Sequence, residues 1–193
     1  MKIGVLAMQG AFAEHIAVLL RLGVETVEVR LPKQLQGLDG LIIPGGESTS
    51  ITKLMGKYEL TEKLSTLAKN NFPMFGTCAG MIVLASEIAD SGGVEAINAI
   101  NIKVRRNAFG RQVESFETDL EIPALGEKPF HGVFIRAPMI ESLGDGVEVL
   151  AKMKNGNIVA ARQGKIIVTS FHPELTEDTR FHQYFVDIIC GEK

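Results

Sequence analysis

The chain has 193 residues, 46% of them hydrophobic and 22% charged, with a formal net charge of −3. That size fits one domain, residues 1–193, which buries about two thirds of its unfolded surface without needing a disulfide or a metal. Such a composition excludes a disordered chain, the mild acidity argues against nucleic acid as a main partner, and no apolar run approaches the roughly 20 residues that cross a bilayer. Residues 3–8 form a continuous apolar run and are read as a strand covered on both faces, not as a signal peptide. From Gly10 to Leu22, the residues Ala13, Ile16, Ala17 and Leu20 fall at helical spacing, and Gly23 stands where a helix C-cap would be. Residues 24–29 alternate as a second strand. Leu41-Ile42-Ile43 is a third, stopped by Pro44-Gly45-Gly46. Helices are expected from about Ser50 and over 60–69. Residues 72–75 make a fourth strand, which ends at Gly76, and a helix of small and aliphatic residues is expected over 79–89. This β-α-β-α order predicts a parallel sheet with helices on both faces. Short strands are expected afterwards over 100–105, 112–116, 132–135, 147–151, 158–162 and 165–170, with hairpin turns at Asn155-Gly156 and Gln163-Gly164. Phe181, Tyr184, Phe185 and Ile188 give the tail, 177–189, the spacing of a final helix. The expected fold is α/β, three layers with a mixed, mostly parallel sheet and flanking helices.

The chain has two cysteines, Cys78 and Cys190. Two cannot make a disulfide framework, which points to a reducing, cytoplasmic setting. Cys190 reads as a packing residue of the last helix. Cys78 stands in Gly76-Thr77-Cys78-Ala79-Gly80, between an apolar strand and a helix, which is the pattern of a nucleophile elbow. The glycines allow a sharp turn that projects the thiol at the carboxyl end of the sheet, where open α/β sheets bind ligands. The start of the next helix favours the thiolate, and the Ala79 N–H is placed to receive an oxyanion. The competing reading is a structural cysteine in a glycine-rich turn; the strand and helix on either side weigh against it.

A nucleophilic cysteine needs a base. His172-Pro173-Glu174 follows the strand 165–170 and supplies His172 as the base, with Glu174 to orient it. His15 and His182 lie on predicted helices and are read as surface or packing residues. His131 precedes a strand and is unassigned. Pro44-Gly45-Gly46-Glu47-Ser48 ends the third strand. There the Gly46 N–H is a candidate second oxyanion donor, and Glu47 and Ser48 are candidates for holding a substrate's polar head. Read alone, the segment is better taken as a tight turn in which Ser48 or Thr49 caps the next helix.

Pro44-Gly45-Gly46-Glu47-Ser48, Gly76-Thr77-Cys78-Ala79-Gly80 and Phe171-His172-Pro173-Glu174 together resemble the class I, triad-type glutamine amidotransferases, whose sheet is flavodoxin-like. More narrowly, the chain resembles the glutaminase subunits of two-subunit pyridoxal 5′-phosphate synthases, nearly end to end. That narrower likeness lies in Gly4-Val5-Leu6-Ala7-Met8-Gln9-Gly10-Ala11 with Glu14-His15, and in Arg106-Asn107-Ala108-Phe109-Gly110-Arg111-Gln112. It lies also in Gly132-Val133-Phe134-Ile135-Arg136-Ala137-Pro138 and Ser170-Phe171-His172-Pro173-Glu174-Leu175. The resemblance implies Cys78 as nucleophile, His172 as base and acid, and Glu174 as the orienting carboxylate. It implies a glutamine site of Gly46, Glu47, Ser48, Arg106, Ile135 and Arg136, with oxyanion donors at Gly46 and Ala79. An arginine fork suits the substrate's α-carboxylate.

The activity it implies is hydrolysis of L-glutamine to L-glutamate and ammonia through a glutamyl thioester. The ammonia would pass to a separate barrel-shaped synthase subunit that builds pyridoxal 5′-phosphate. That compound is then the partner's product, and no cofactor, metal, nucleic acid or membrane is expected here. The resemblance also implies that the partner activates this chain, with Gln9 and the segment from Gly10 to His15 as candidate contacts. The alternative within the same chemistry is the glutaminase subunit of another amidotransferase, such as the histidine-pathway one; the 106–112 stretch distinguishes the two. From other classes, a cysteine-elbow hydrolase or stress-response protein would lack the Gly-Gly-Glu-Ser and His-Pro-Glu elements. An intact Cys78, His172 and Glu174 weigh against a non-catalytic binding module.

Overall fold

In the computed structural model, residues 1–106 and 115–193 are described. The first half runs β1 (Lys2–Leu6), α1 (Phe12–Arg21), β2 (Glu25–Val29), β3 (Gly40–Ile43), α2 (Ser48–Lys57), α3 (Leu60–Lys69), β4 (Met74–Thr77), α4 (Ala79–Leu84) and β5 (Ala85–Ile88). The second half runs β6 (Ile100–Arg105), β7 (Ser115–Leu120), β8 (Phe130–Ile135), β9 (Met139–Leu143), β10 (Glu148–Lys152), β11 (Ile158–Gln163), β12 (Ile166–Thr169) and α5 (Arg180–Cys190).

The strand order is β2-β1-β3-β4-β12-β11-β9-β6-β5, with β10 added on β11. From β2 to β12 all neighbours are parallel. β11 pairs antiparallel with β12, β10 and β9, and β9 pairs antiparallel with β6. β7 and β8 form a separate antiparallel ribbon. The mixed, mostly parallel α/β sheet is therefore as expected, and both Gly-centred hairpins, at Asn155-Gly156 and Gln163-Gly164, join antiparallel neighbours.

Successive strand residues point to opposite faces, and the two cores follow that alternation. Leu41, Ile43, Met74, Ile166 and Val168 face α2, α3 and α4, whose Ile51, Met55, Leu64 and Val83 complete one core. Ile42, Phe75 and Ile167 face the other way, toward Leu19 of α1 and Phe181, Phe185 and Ile188 of α5. Phe130 and Phe134 of β8 extend this second core. Each fully buried aliphatic or aromatic side chain contributes about 1.5–3 kcal/mol, so the two cores fix which strand ends lie side by side.

Four expectations need correction. The helix expected over 79–89 stops at Leu84, and Ala85–Ile88 is a strand. No Gly or Pro breaks the helical pattern there; pairing with β6, reinforced by the Ser86 hydroxyl donating to the Ile102 carbonyl at 2.9 Å, overrides local propensity. Met139–Leu143 is a strand beyond those expected from the sequence, placed between β6 and β11. In α1 the buried stripe is His15, Val18 and Leu19, with Ile16 partly buried against the second core; Ala13, Ala17 and Leu20 are exposed, Leu20 by 59%. Cys190 is exposed rather than packed. The strand expected over 112–116 is described only from Ser115, and 107–114 lie outside the described residues.

Candidate active site

One residue, Cys78, turns the chain from β4 into α4, with φ 49° and ψ −104°. A non-glycine residue held there stores strain of order 1–3 kcal/mol. The fold holds it there with backbone bonds: the Cys78 N–H donates to the Thr169 carbonyl at 2.8 Å, and the Met81 and Ile82 N–H groups donate to the Cys78 carbonyl at 3.1 and 3.4 Å. The flanking glycines are required by contact. A Cβ on Gly80 would overlap the Ile43 carbonyl oxygen, and one on Gly76 would lie 2.7 Å from the Gly80 backbone. The Cys78 thiol sits 3.8 Å from the Ile135 carbonyl, at the end of β8.

Because β12 lies beside β4, the residues after it arrive at the same sheet edge. The His172 N–H donates to the Val133 carbonyl at 2.8 Å. Pro173 starts a short 3-10 turn (Pro173–Leu175) that folds Glu174 back under the imidazole. Glu174 Oε1 is 2.7 Å from His172 Nδ1, and both side chains are buried. Burial disfavours the imidazolium. Hydrogen bonds to Cys78 and Glu174, with the charges of both, outweigh it and raise His172 to about 10. Burial likewise disfavours a charged Glu174. The neighbouring His15 and His172 outweigh it and hold its carboxyl below the usual range.

The turn after β3 packs against this pair. A Cβ on Gly45 would overlap the His172 ring and stand 3.3 Å from Cys78 Cβ, so only glycine allows the approach. The Gly45 N–H donates to Thr77 Oγ1 at 3.0 Å, and its carbonyl accepts from the Ala11 N–H at 3.0 Å. In a planar trans peptide the next N–H, that of Gly46, points opposite to this carbonyl, away from Ala11. The Glu47 N–H donates to Gln9 Oε1 at 2.6 Å. Ala79, with the other candidate oxyanion amide, is buried as the first residue of α4.

Glu47 itself, not Ser48 or Thr49, caps α2. Its carboxylate accepts from the N–H groups of Thr49 and Ser50 and from the Ser50 hydroxyl. Slight burial opposes that charge, and the Ser50 and Thr49 hydrogen bonds outweigh it, holding the carboxyl at about 2. Arg106 Nη2 is 3.8 Å from Glu47 Oε1, while its Nη1 donates to the Ser91 carbonyl at 2.8 Å. Ser48 is buried at the first position of α2, and Arg136, exposed with φ 44°, follows the Ile135 carbonyl that faces the thiol. The rest of the Arg106-to-Gln112 motif lies outside the described residues. Among the described residues, no group of three or more His, Cys, Asp or Glu side chains is arranged to hold a metal.

Two histidines of this region are not connected with the triad in the sequence reading. His15 and His182, expected as surface or packing residues, are fully buried behind Glu174, with His15 Nε2 3.4 Å from Glu174 Oε2. The available signal is the spacing of His15 with Val18 and Leu19, three and four positions on, which sets all three on one helix face. His131 is exposed between Glu117 and Asp119, 2.9 Å from each.

Residues 5–190 match the SNO glutamine amidotransferase family. The chain is 56% identical over 190 residues to a protein of Herpetosiphon aurantiacus named pyridoxal 5′-phosphate synthase subunit PdxT, covering 97% of this chain and 100% of that one. Proteins of the same name from Moorella thermoacetica (57% identical, 98% and 100% covered) and Carboxydothermus hydrogenoformans (56%, 98% and 98%) are equally similar. A crystal structure described as a glutamine amidotransferase superimposes with a TM-score of 0.92 at 51% identity, covering 97% of this chain and 98% of the other. The structure of PurLQS from Thermotoga maritima shares the fold alone, with a TM-score of 0.66 at 16% identity, covering 96% of this chain and 97% of the matched one.

Proposed function

Since the chain belongs to the SNO glutamine amidotransferase family, we propose that Cys78, His172 and Glu174 are the triad with which it hydrolyses glutamine. The chain is the glutaminase subunit of a pyridoxal 5′-phosphate synthase and acts in a complex with the synthase subunit. Nothing favours the histidine-pathway alternative. The observation that carries the triad is the 2.7 Å contact of His172 Nδ1 with Glu174, beside a cysteine held at a strained elbow.

The reaction begins with the Cys78 proton on His172, whose raised basicity favours it there. The thiolate attacks the side-chain amide carbon of L-glutamine and forms a C–S bond. The negative oxygen rests on the N–H groups of Gly46 and Ala79. His172 gives its proton to the amide nitrogen as the C–N bond breaks, and ammonia leaves. A water molecule then loses a proton to His172 and attacks the glutamyl thioester. The C–S bond breaks, glutamate departs, and the thiol regains its proton. Arg106 and Arg136 bind the substrate's α-carboxylate end, and Ser48, Glu47 and the Ile135 carbonyl complete its site. Ammonia is passed directly to a barrel-shaped synthase subunit, which protects it from protonation in water, and Gln9 with the segment from Gly10 up to the buried His15 forms part of that contact. Two free cysteines fit a cytoplasmic setting, and no helix among the described residues is long and apolar enough to cross a membrane.

The test is glutamate release from glutamine by this chain, alone and with the synthase subunit. Stimulated release that Cys78→Ala abolishes supports the reading; release that survives Cys78→Ala overturns the triad.

A further inference from the structure

Two buried histidines stand behind the triad and take no part in the steps above. His15 Nδ1 is 2.9 Å from His182 Nε2, and His15 Nε2 is 3.1 Å from Thr77 Oγ1 and 3.4 Å from Glu174 Oε2. Glu174 Oε2 and His182 Nδ1 are buried without a hydrogen bond of ordinary geometry. Burial drives both imidazoles toward the neutral form, and on His15 it overrides the upward pull of Glu174.

A neutral ring carries one proton, so the pair has two arrangements. In the first, His15 donates from Nδ1 to His182. Its bare Nε2 can then accept from the Thr77 hydroxyl at 3.1 Å, but the lone pair also faces the Glu174 carboxylate at 3.4 Å. His182 must then carry its own proton on Nδ1, a buried donor with no acceptor. In the second, His182 donates from Nε2 to a bare His15 Nδ1. The His15 Nε2–H then points between Thr77 Oγ1 and Glu174 Oε2, and the atom left over is a bare His182 nitrogen. Orphaned buried donors are the rarer defect, and a carboxylate favours the positive end of an N–H dipole. Both criteria select the second arrangement.

We propose that His15 is a positioning residue for the glutaminase reaction: its Nε2–H, set by His182, holds Glu174 Oε2 so that Oε1 stays aimed at His172. The proposal rests on Cys78, His172 and Glu174 being the triad. A carboxylate anchored at one oxygen presents the other in a fixed direction, and with it the imidazole that oxygen orients. The same N–H reaches Thr77 Oγ1, which also accepts the Gly45 N–H. One imidazole thus touches both the group that orients the base and the hydroxyl that anchors the turn bearing Gly46.

The test has two independent readouts. In the full chain labelled with ¹⁵N-histidine, NMR of the ring nitrogens at pH 7, assigned with His15→Gln and His182→Gln, is expected to find both rings neutral with the proton on Nε2. A His15 proton on Nδ1, or a charged His15, overturns the proposal whatever the activity. In the complex with the synthase subunit, His15→Phe is expected to lower kcat about ten- to a hundredfold while KM for glutamine stays within about twofold. His15→Gln, whose amide N–H can reach the same oxygen, is expected to restore most of that rate. Equal loss in both variants, or a loss confined to thermal stability, overturns the positioning role. Failure of the triad reading looks different: turnover would survive Cys78→Ala.

Discussion

The hydroxyl of Thr77 accepts the amide proton of Gly45 at 3.0 Å, in a buried setting. Thr77 is the residue before the proposed nucleophile and Gly45 the residue before a candidate oxyanion donor. One side chain therefore sets the spacing between the thiol and the turn proposed to receive the negative oxygen. Thr77→Val keeps the shape and removes the acceptor, which leaves a buried N–H unsatisfied at a cost of about 1–3 kcal/mol. The expected outcome is a lower Tm together with a lower kcat, both restored by Thr77→Ser. Calorimetry and glutaminase assays on the three proteins check it. An unchanged kcat in Thr77→Val would separate the hydroxyl from the chemistry.

Glu174→Gln replaces the charge and keeps the size. The amide can present an N–H to His172, favouring the wrong tautomer and leaving the imidazolium without its counter-charge. A loss of about 10²–10⁴ in kcat is expected, with KM nearly constant. The elevated His172 pKa, about 10 in the native chain, should fall, moving the pH profile with it. Steady-state kinetics from acid to alkaline pH measure both effects.

Glu47 offers a way to separate capping from substrate binding. Glu47→Ala removes the acceptor for Thr49 and Ser50 and should cost about 1 kcal/mol of stability. Glu47→Asp keeps a good capping residue but shortens the side chain that faces Arg106. If Glu47 also meets glutamine, the Asp variant should hold its Tm while KM rises. A KM equal to the parent's would assign Glu47 to the helix alone.

Stability should peak near neutral pH. His15 and His182 have folded pKa values below their ordinary 6.5. Below that pH the unfolded chain binds protons that the folded chain refuses, so stability is lost as pH falls through about 6.5. His172 acts in reverse. Its folded pKa lies above 6.5, so its contribution is complete below 6.5 and is lost as pH rises toward about 10. Glu174, depressed below its ordinary 4.5, adds a further loss only in stronger acid. Tm measured from pH 5 to 9 should therefore fall on both sides of neutrality. His182→Gln should flatten the acid side; a native curve flat from 5.5 to 7 would contradict the assignment.

The parallel half of the sheet and the elbow are legible in the amino-acid order because their signals are local. Apolar runs stop at Gly and Pro, and Cys78 sits between glycines whose missing side chains leave room for Ile43 and Gly80. Two strands of the far, mixed half are not legible. Ala85–Ile88 exists because β6 is there to pair with it, and Met139–Leu143 because β6 and β11 flank it. His182 gives no local sign of its place beside His15, since 167 positions separate them and only the packing of α1 against the same face as α5 unites them. The function of Glu47 as a cap is hidden for a simpler reason: Ser48 and Thr49, the more usual capping residues, stand directly after it.

The pairing of β4 with β12, Thr77 opposite Thr169, places the thiol and its proposed base at one edge although the chain between them makes up much of the molecule. During synthesis the cysteine emerges long before the histidine. A chain halted anywhere before β12 carries the thiol with neither the carbonyl of Thr169 to hold its strained backbone nor an imidazole to take its proton. The proposed triad is therefore complete only once the residues that follow β12 are in place.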